Sequence, residues 1–195
     1  LFDAIARESE HRIGSFTPKE LANYAWAFAV IDVARRDALV DAVSARASEI
    51  GGTAFSRQER SQLHQFFLSV ELELCPPAKL LAPADLQLVC REALDGESPA
   101  SSSKLHQDVS AELARMGIAH ENELSVAASE SRDDAMTTRA REAVRAATID
   151  HAGITIEVDG PTHYLNEWWL RPASVMIRRH LALAGWVVLV VPYWD

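Results

Sequence analysis

The sequence predicts an α+β chain: N-terminal α-helical hairpin repeats, the end of a solenoid, followed by a small α/β domain with a mixed sheet. Three observations carry this. "FTPKELANYAWAFAVI" from Phe16 and "FSRQERSQLHQFFLSV" from Phe55 resemble each other at an offset of 39 residues. A small polar stretch, "DGESPASSSK" at residues 95–104, follows them and reads as a boundary. Beyond it, "ITIEVDG" and "WVVLVVP" are short, apolar and β-branched, as strands are. The predicted domains are 1–97 and 98–195.

Each of the two similar stretches opens with a helix start. Thr17 with Glu20, and Ser56 with Glu59, have the spacing of a capping box, in which the hydroxyl accepts from an early N–H and the Glu reaches back. Pro18 falls at the first helical position, where its missing N–H costs nothing. Leu21, Tyr24, Ala25 and Phe28 then recur at helical spacing, as do Leu63, Phe66, Phe67 and Val70. A second helix follows each first one. "DALVDAVSARASEI" runs to the stop Gly51-Gly52, and "APADLQLVCREALDG" runs from near Pro83 to Gly96. Two helix pairs at a period near 40 suggest a helical-hairpin solenoid, whose units bury their apolar stripes by stacking.

In the second domain a helix places Leu105, Val109, Leu113 and Met116 on one face and stops at Gly117. "ENELSVAA" reads as a strand, and the polar segment near 128–145 as an exposed helix or a loose insertion. Strands are expected at 147–151, 153–159 and 186–192. "SVMIRRHLALAG" reads as a helix ending at Gly185.

The net charge is −9, spread over both halves: 10 basic and 15 acidic residues in 1–100, 9 and 13 in 101–195. Neither half is a basic nucleic-acid glove; the basic patches available in the second half are around Arg139, Arg141, Arg145, Arg171, Arg178 and Arg179. No apolar run is long enough to span a membrane. Cys75 and Cys90 lack CxxC spacing and read as free core thiols. The chain begins at Leu1 without a methionine; a processed protein, or the ordered part of a longer one, is expected.

The chemistry-bearing stretch is "ITIEVDGPTHYL". Alternation puts Glu157 and Asp159 on one strand face, about 7 Å apart. Pairing of 147–151 with 153–159 through the "HAG" turn would bring Asp150 near Glu157, and His163 follows. Asp150, Glu157, Asp159 and His163 are the candidate catalytic residues of a nuclease. Asp150 and Glu157 are its candidate ligands for Mg2+ or Mn2+, ions that favour carboxylates and stabilise charge on phosphate; without that activity no cofactor is expected. The layout is that of PD-(D/E)xK nucleases, but Asp159 stands where their third motif has Lys. Lys104 is the only lysine after residue 80.

Ile156, Glu157, Asp159, Gly160, Pro161, His163 and Tyr164, then Arg178 and Arg179, then Gly185, Trp186, Val191, Pro192, Tyr193 and Trp194, closely resemble the RAP domain. The resemblance covers residues 103–195. It implies a restriction-endonuclease-like fold and an RNA-binding protein of a mitochondrion or, alternatively, a chloroplast. It also implies preceding octotricopeptide-like repeats, which "LANYAWAFAVI" resembles. The expected partners are ribosomal RNA or an organellar transcript, together with other organellar proteins, ribosomal ones among them. Candidate RNA contacts are Arg178, Arg179, Arg171, Trp168 and Trp169 here, and Asn23 and Gln62 on the repeats. The expected role is in RNA processing, stability or ribosome assembly. An active metal-dependent endoribonuclease and a protein-interaction scaffold are the alternatives.

Overall fold

The structure is a computed structural model of the 195-residue chain. It describes residues 5–6, 8–9, 11–31, 37–73, 82–95, 103–122, 153–166 and 169–194. The chain divides into two compact units, Leu1–Gly96 and Glu97–Asp195.

The first unit is helical. Its helices are α1 (Pro18–Val30), α2 (Asp37–Ile50), α3 (Arg57–Glu73) and α4 (Ala84–Asp95). Both expected capping boxes form. Thr17 Oγ1 accepts from Glu20 N, and Thr17 N donates to Glu20 Oε2 at 2.9 Å. Ser56 and Glu59 repeat this, with Ser56 N donating to Glu59 Oε2 at 2.7 Å. Gly51, at φ +80°, ends α2 in the left-handed region that glycine enters without strain.

The apolar periodicity becomes the core. α1 buries Leu21, Ala22, Ala25, Phe28 and Ala29, and α3 buries Leu63, Phe66 and Val70 together with Ser61 and Ser69. α2 adds Leu39, Val40, Val43 and Ala47. α1 packs against α2 and α3, and α3 against α4. Two side-chain hydrogen bonds join α1 to α3 at the 39-residue offset. Gln62 Nε2 donates to Asn23 Oδ1 at 3.1 Å, and Trp26 Nε1 donates to Gln65 Oε1 at 2.7 Å. Arg57 Nε reaches Ala93 O at 3.2 Å, tying the start of α3 to the end of α4. Cys90 on α4 is a fully buried free thiol, pushed up to about 11 by that burial. Cys75 lies outside the described residues.

The second unit contains α5 (Lys104–Arg115), β1 (Gly153–Asp159), α6 (Pro172–Leu183) and β2 (Trp186–Pro192). Both strands have the bounds read from the sequence. Ser103 caps α5 through His106 N, and Gly117, at φ +74°, follows its end. β1 and β2 pair in parallel from Gly153↔Trp186 to Asp159↔Pro192. A parallel pair needs a crossover, and α6 lies in it. α6 packs on β2 through a face that buries Met176, His180 and Leu181. Of the expected mixed sheet, the described residues contain this one parallel pair. The strand expected at 147–151, the segment 128–145 and all but the first two residues of "ENELSVAA" lie outside the described residues. Six helices and a small two-stranded sheet make the described chain mostly helical, compatible with the α+β class.

Gly153 is required where the sheet begins. A Cβ there would stand 2.8 Å from Cζ3 of Trp186, directly across the register. The indole therefore lies over the glycine, which explains why this aromatic serves the sheet.

Candidate functional site

β1 delivers its acids at its carboxyl end. Alternation along the strand puts Glu157 and Asp159 on one face. Asp159 is the last residue of β1, opposite Pro192, which has no N–H to continue the ladder. Gly160-Pro161 then opens a 3-10 turn, in which His163 N donates to Gly160 O and Tyr164 N to Pro161 O. The turn brings the next side chains back over the strand end.

Asp159 is the hub of this region. Its side chain is 1 % exposed. Its Oδ2 accepts from Tyr164 OH at 2.7 Å and forms a short ion pair with Arg178 Nη2 from α6. His163 Nδ1 stands 3.3 Å from Oδ1 and 3.4 Å from Ser174 Oγ. Oδ1 and Arg178 Nε are buried without a hydrogen-bond partner among the described residues. A carboxylate this deep is held by its cation, because an unpaired buried charge is expensive.

The electrostatics follow. Burial, and then the neighbouring Asp159 charge, raise the Glu157 carboxyl above its usual range, while Arg178 and His163 oppose the shift. Burial and the Asp159 carboxylate raise the Tyr164 hydroxyl as well. Tyr164 thus stays protonated at neutral pH and remains the donor in its bond to Asp159.

A second feature grows from the same turn. Tyr164 and Leu170 form an antiparallel bridge, Leu165 N donates to Trp169 O at 2.7 Å, and Arg171 N donates to His163 O at 2.8 Å. Asn166 Oδ1 accepts from Trp169 N at 3.0 Å. On this short hairpin Trp169 is 70 % exposed and Leu165 64 %. At the end of β2, Trp194 packs on Tyr164 with ring centroids 4.8 Å apart, and Tyr193 packs edge-on against Trp194 at 4.9 Å.

The sequence-derived candidates distribute as follows. Glu157, Asp159, His163 and Arg178 come together at the hub. Trp169 and Arg171 share the hairpin, and Arg179 is half-buried on α6. Asn23 and Gln62 belong to the helical unit and are bonded to each other. Asp150 and Trp168, like Arg139, Arg141 and Arg145, lie outside the described residues.

Of the expected ligand pair for Mg2+ or Mn2+, Glu157 is described and Asp150 lies outside the described residues; Asp159 does not fit as a further ligand. Asp159 Oδ2 is already taken by a guanidinium and a hydroxyl, and a divalent ion would have to sit against the Arg178 charge. Among the described residues no group of three His, Cys, Asp or Glu side chains is arranged to hold a metal. Two features of the hub escaped sequence reasoning: Tyr164 as a donor to Asp159, and Arg178 as the counter-ion of Asp159. The five-residue step from Asp159 to Tyr164 across Gly-Pro was the available signal for the first.

Comparison with known families matches this region of the chain. A RAP domain occupies residues 156–195. The RAP match begins inside β1, takes in the hub and the Trp169 hairpin, and ends with β2 and its aromatic pair. No curated protein and no solved structure gives a significant match to the chain. The RAP domain is associated with RNA binding, and no described helix is long and apolar enough to cross a membrane.

Proposed function

We propose that the chain is an organellar RNA-binding protein acting in RNA processing, RNA stability or ribosome assembly, with ribosomal RNA or an organellar transcript as its partner. The RAP domain at residues 156–195 is the observation that carries this reading. The compartment is a mitochondrion, or else a chloroplast. The helical hairpins are the end of a repeat array, and other organellar proteins, ribosomal ones included, cover much of the acidic surface.

The nuclease-like layout serves architecture here rather than hydrolysis. Two observations support that reading: Asp159 stands at the lysine position of the nuclease motif, and Arg178 and Tyr164 occupy its carboxylate. The test is titration of labelled organellar RNA at several salt concentrations, with and without EDTA. Affinity should fall as salt rises, because cations released from RNA oppose binding. EDTA should change neither affinity nor RNA integrity. Metal-dependent cleavage that disappears in Glu157→Ala would establish the endoribonuclease instead, and no binding at low salt would leave the scaffold reading.

A further inference from the structure

The RNA-binding reading leaves open which form of RNA the domain takes and where. The hairpin from Tyr164 to Arg171 answers both. Trp169 is the most exposed large hydrophobic residue among the described ones, at 70 %. Leu165, its neighbour across the Tyr164–Leu170 bridge, is 64 % exposed, so the two side chains make an adjoining apolar patch rather than a lone exposed group.

Its backbone is nonetheless fixed. Trp169 N is held by Asn166 Oδ1 and Trp169 O by Leu165 N, while the flanking Leu170 bridges Tyr164 and Arg171 N is held by His163 O. The ring is therefore presented on an ordered frame, which reduces the entropy lost when a ligand settles on it. Leu170 and Arg171 continue the extended run, Arg171 having φ −64° and ψ 142°. Residues two apart in an extended run share a side. Trp169 and Arg171 thus project together, and Leu165, opposite Trp169, widens the flat apolar surface.

The hub steadies this frame. His163 contributes its carbonyl to Arg171 and its imidazole to Asp159, and Asp159 is anchored by Arg178 and Tyr164. The adjacent cation points to the occupant. Of the three arginines in the matched region, Arg178 is paired with Asp159 and Arg171 is the exposed one, two residues from Trp169. An indole face next to a guanidinium suits a group that is flat and apolar on one side and anionic on the other.

We propose that Trp169, Arg171 and Leu165 form a ledge for one unpaired nucleotide of single-stranded RNA, the base stacking on Trp169 and its phosphate meeting Arg171. This rests on the RNA-binding reading and narrows it. Bases in a duplex are already stacked and do not offer a free face. Stacking on an aromatic side chain tolerates any base, so the ledge contributes affinity rather than sequence choice.

The test uses the full chain, a short fluorescently labelled RNA of mixed sequence, and the same RNA annealed to its complement. The single strand should bind more tightly than the duplex. Trp169→Ala should weaken single-strand binding about ten-fold, within the usual worth of one stacked base, while Trp169→Phe should stay within about three-fold of the parent. Arg171→Gln should weaken binding and lower the slope of log affinity against log salt by about one. Circular dichroism of each variant should match the parent, since both side chains are exposed. If the parent binds RNA and Trp169→Ala binds it equally well, the ledge is wrong and the RNA-binding reading stands. Equal affinity for duplex and single strand also overturns the ledge. If the parent binds neither RNA, the broader reading fails.

Discussion

The two units hold themselves together by different means. The helical unit buries apolar side chains from Ala6 to Ala93, with Leu21, Leu39 and Leu63 completely enclosed, and its polar bonds between helices lie near the surface. In the RAP-bearing unit, Met176 and Leu181 are the buried hydrophobics among the described residues, and Asp159 and His180 are buried beside them. Ile154, Leu189 and Val190 of its sheet are exposed. A helical stack with a continuous apolar stripe tolerates the loss of any one polar contact. Among the described residues of the second unit, β1, β2 and α6 meet around Asp159 through polar contacts of fixed geometry. Asp159, which reads as part of a catalytic signature, is in its described geometry part of that cohesion.

The contrast is broken most directly by Asp159→Ala. Removing one member of a buried ion pair strands the other, at a cost of about 3–5 kcal/mol. Amide exchange should accelerate throughout β1, β2 and α6 and stay unchanged in α1–α4. Uniform acceleration in both units would mean that they unfold as one.

Leu63→Ala is the mirror experiment. Leu63 is fully buried, and truncating such a leucine costs about 3 kcal/mol. Denaturant unfolding should show the loss in the helical unit while exchange in β1 and β2 stays unchanged.

Thr17→Ala sharpens the comparison on a smaller scale. It removes a cap from a helix that also packs over its whole length, so the expected cost is about 1 kcal/mol. Ser56→Ala should give a similar value, because Ser56 and Glu59 repeat the two bonds to backbone N–H of the first box.

The smallest expected effect carries a sign. The Glu157 carboxyl titrates above its ordinary 4.5 in the folded chain, chiefly through burial. Its ionisation therefore subtracts stability as pH rises from below 4.5 through the raised folded value. Glu157→Gln should raise the melting temperature at neutral pH, and the gain should vanish below pH 4.5, where the carboxyl is protonated in both states. A gain that persists in acid would show that the glutamine acts through packing instead.

What the sequence reveals tracks the range of the interaction. Capping boxes span three residues, so Thr17–Glu20 and Ser56–Glu59 are legible directly. Strand bounds at 153–159 and 186–192 are set by Gly153, Gly160, Gly185 and Pro192, residues that act on their own backbone. The helical spacing of Leu21, Ala25 and Phe28 likewise predicts their burial. Contacts across space are less visible. Nothing in the local pattern of Arg178 says that it turns toward Asp159, 19 residues earlier. Likewise nothing local in Asn23 and Gln62, two polar residues at equivalent helix positions, says that the packing of α1 on α3 bonds them to each other. Trp26 with Gln65 was available from the same offset, since a repeat that stacks in register brings like positions together.

Cys90 gives the helical unit an internal alarm. Its thiol is enclosed and, with its ionisation pushed up to about 11, it is almost wholly in the unreactive protonated form at neutral pH. In a Cys75→Ser background, the rate at which a thiol reagent labels Cys90 would then time the transient opening of α4 from α3, an event that leaves no trace in bulk spectroscopy.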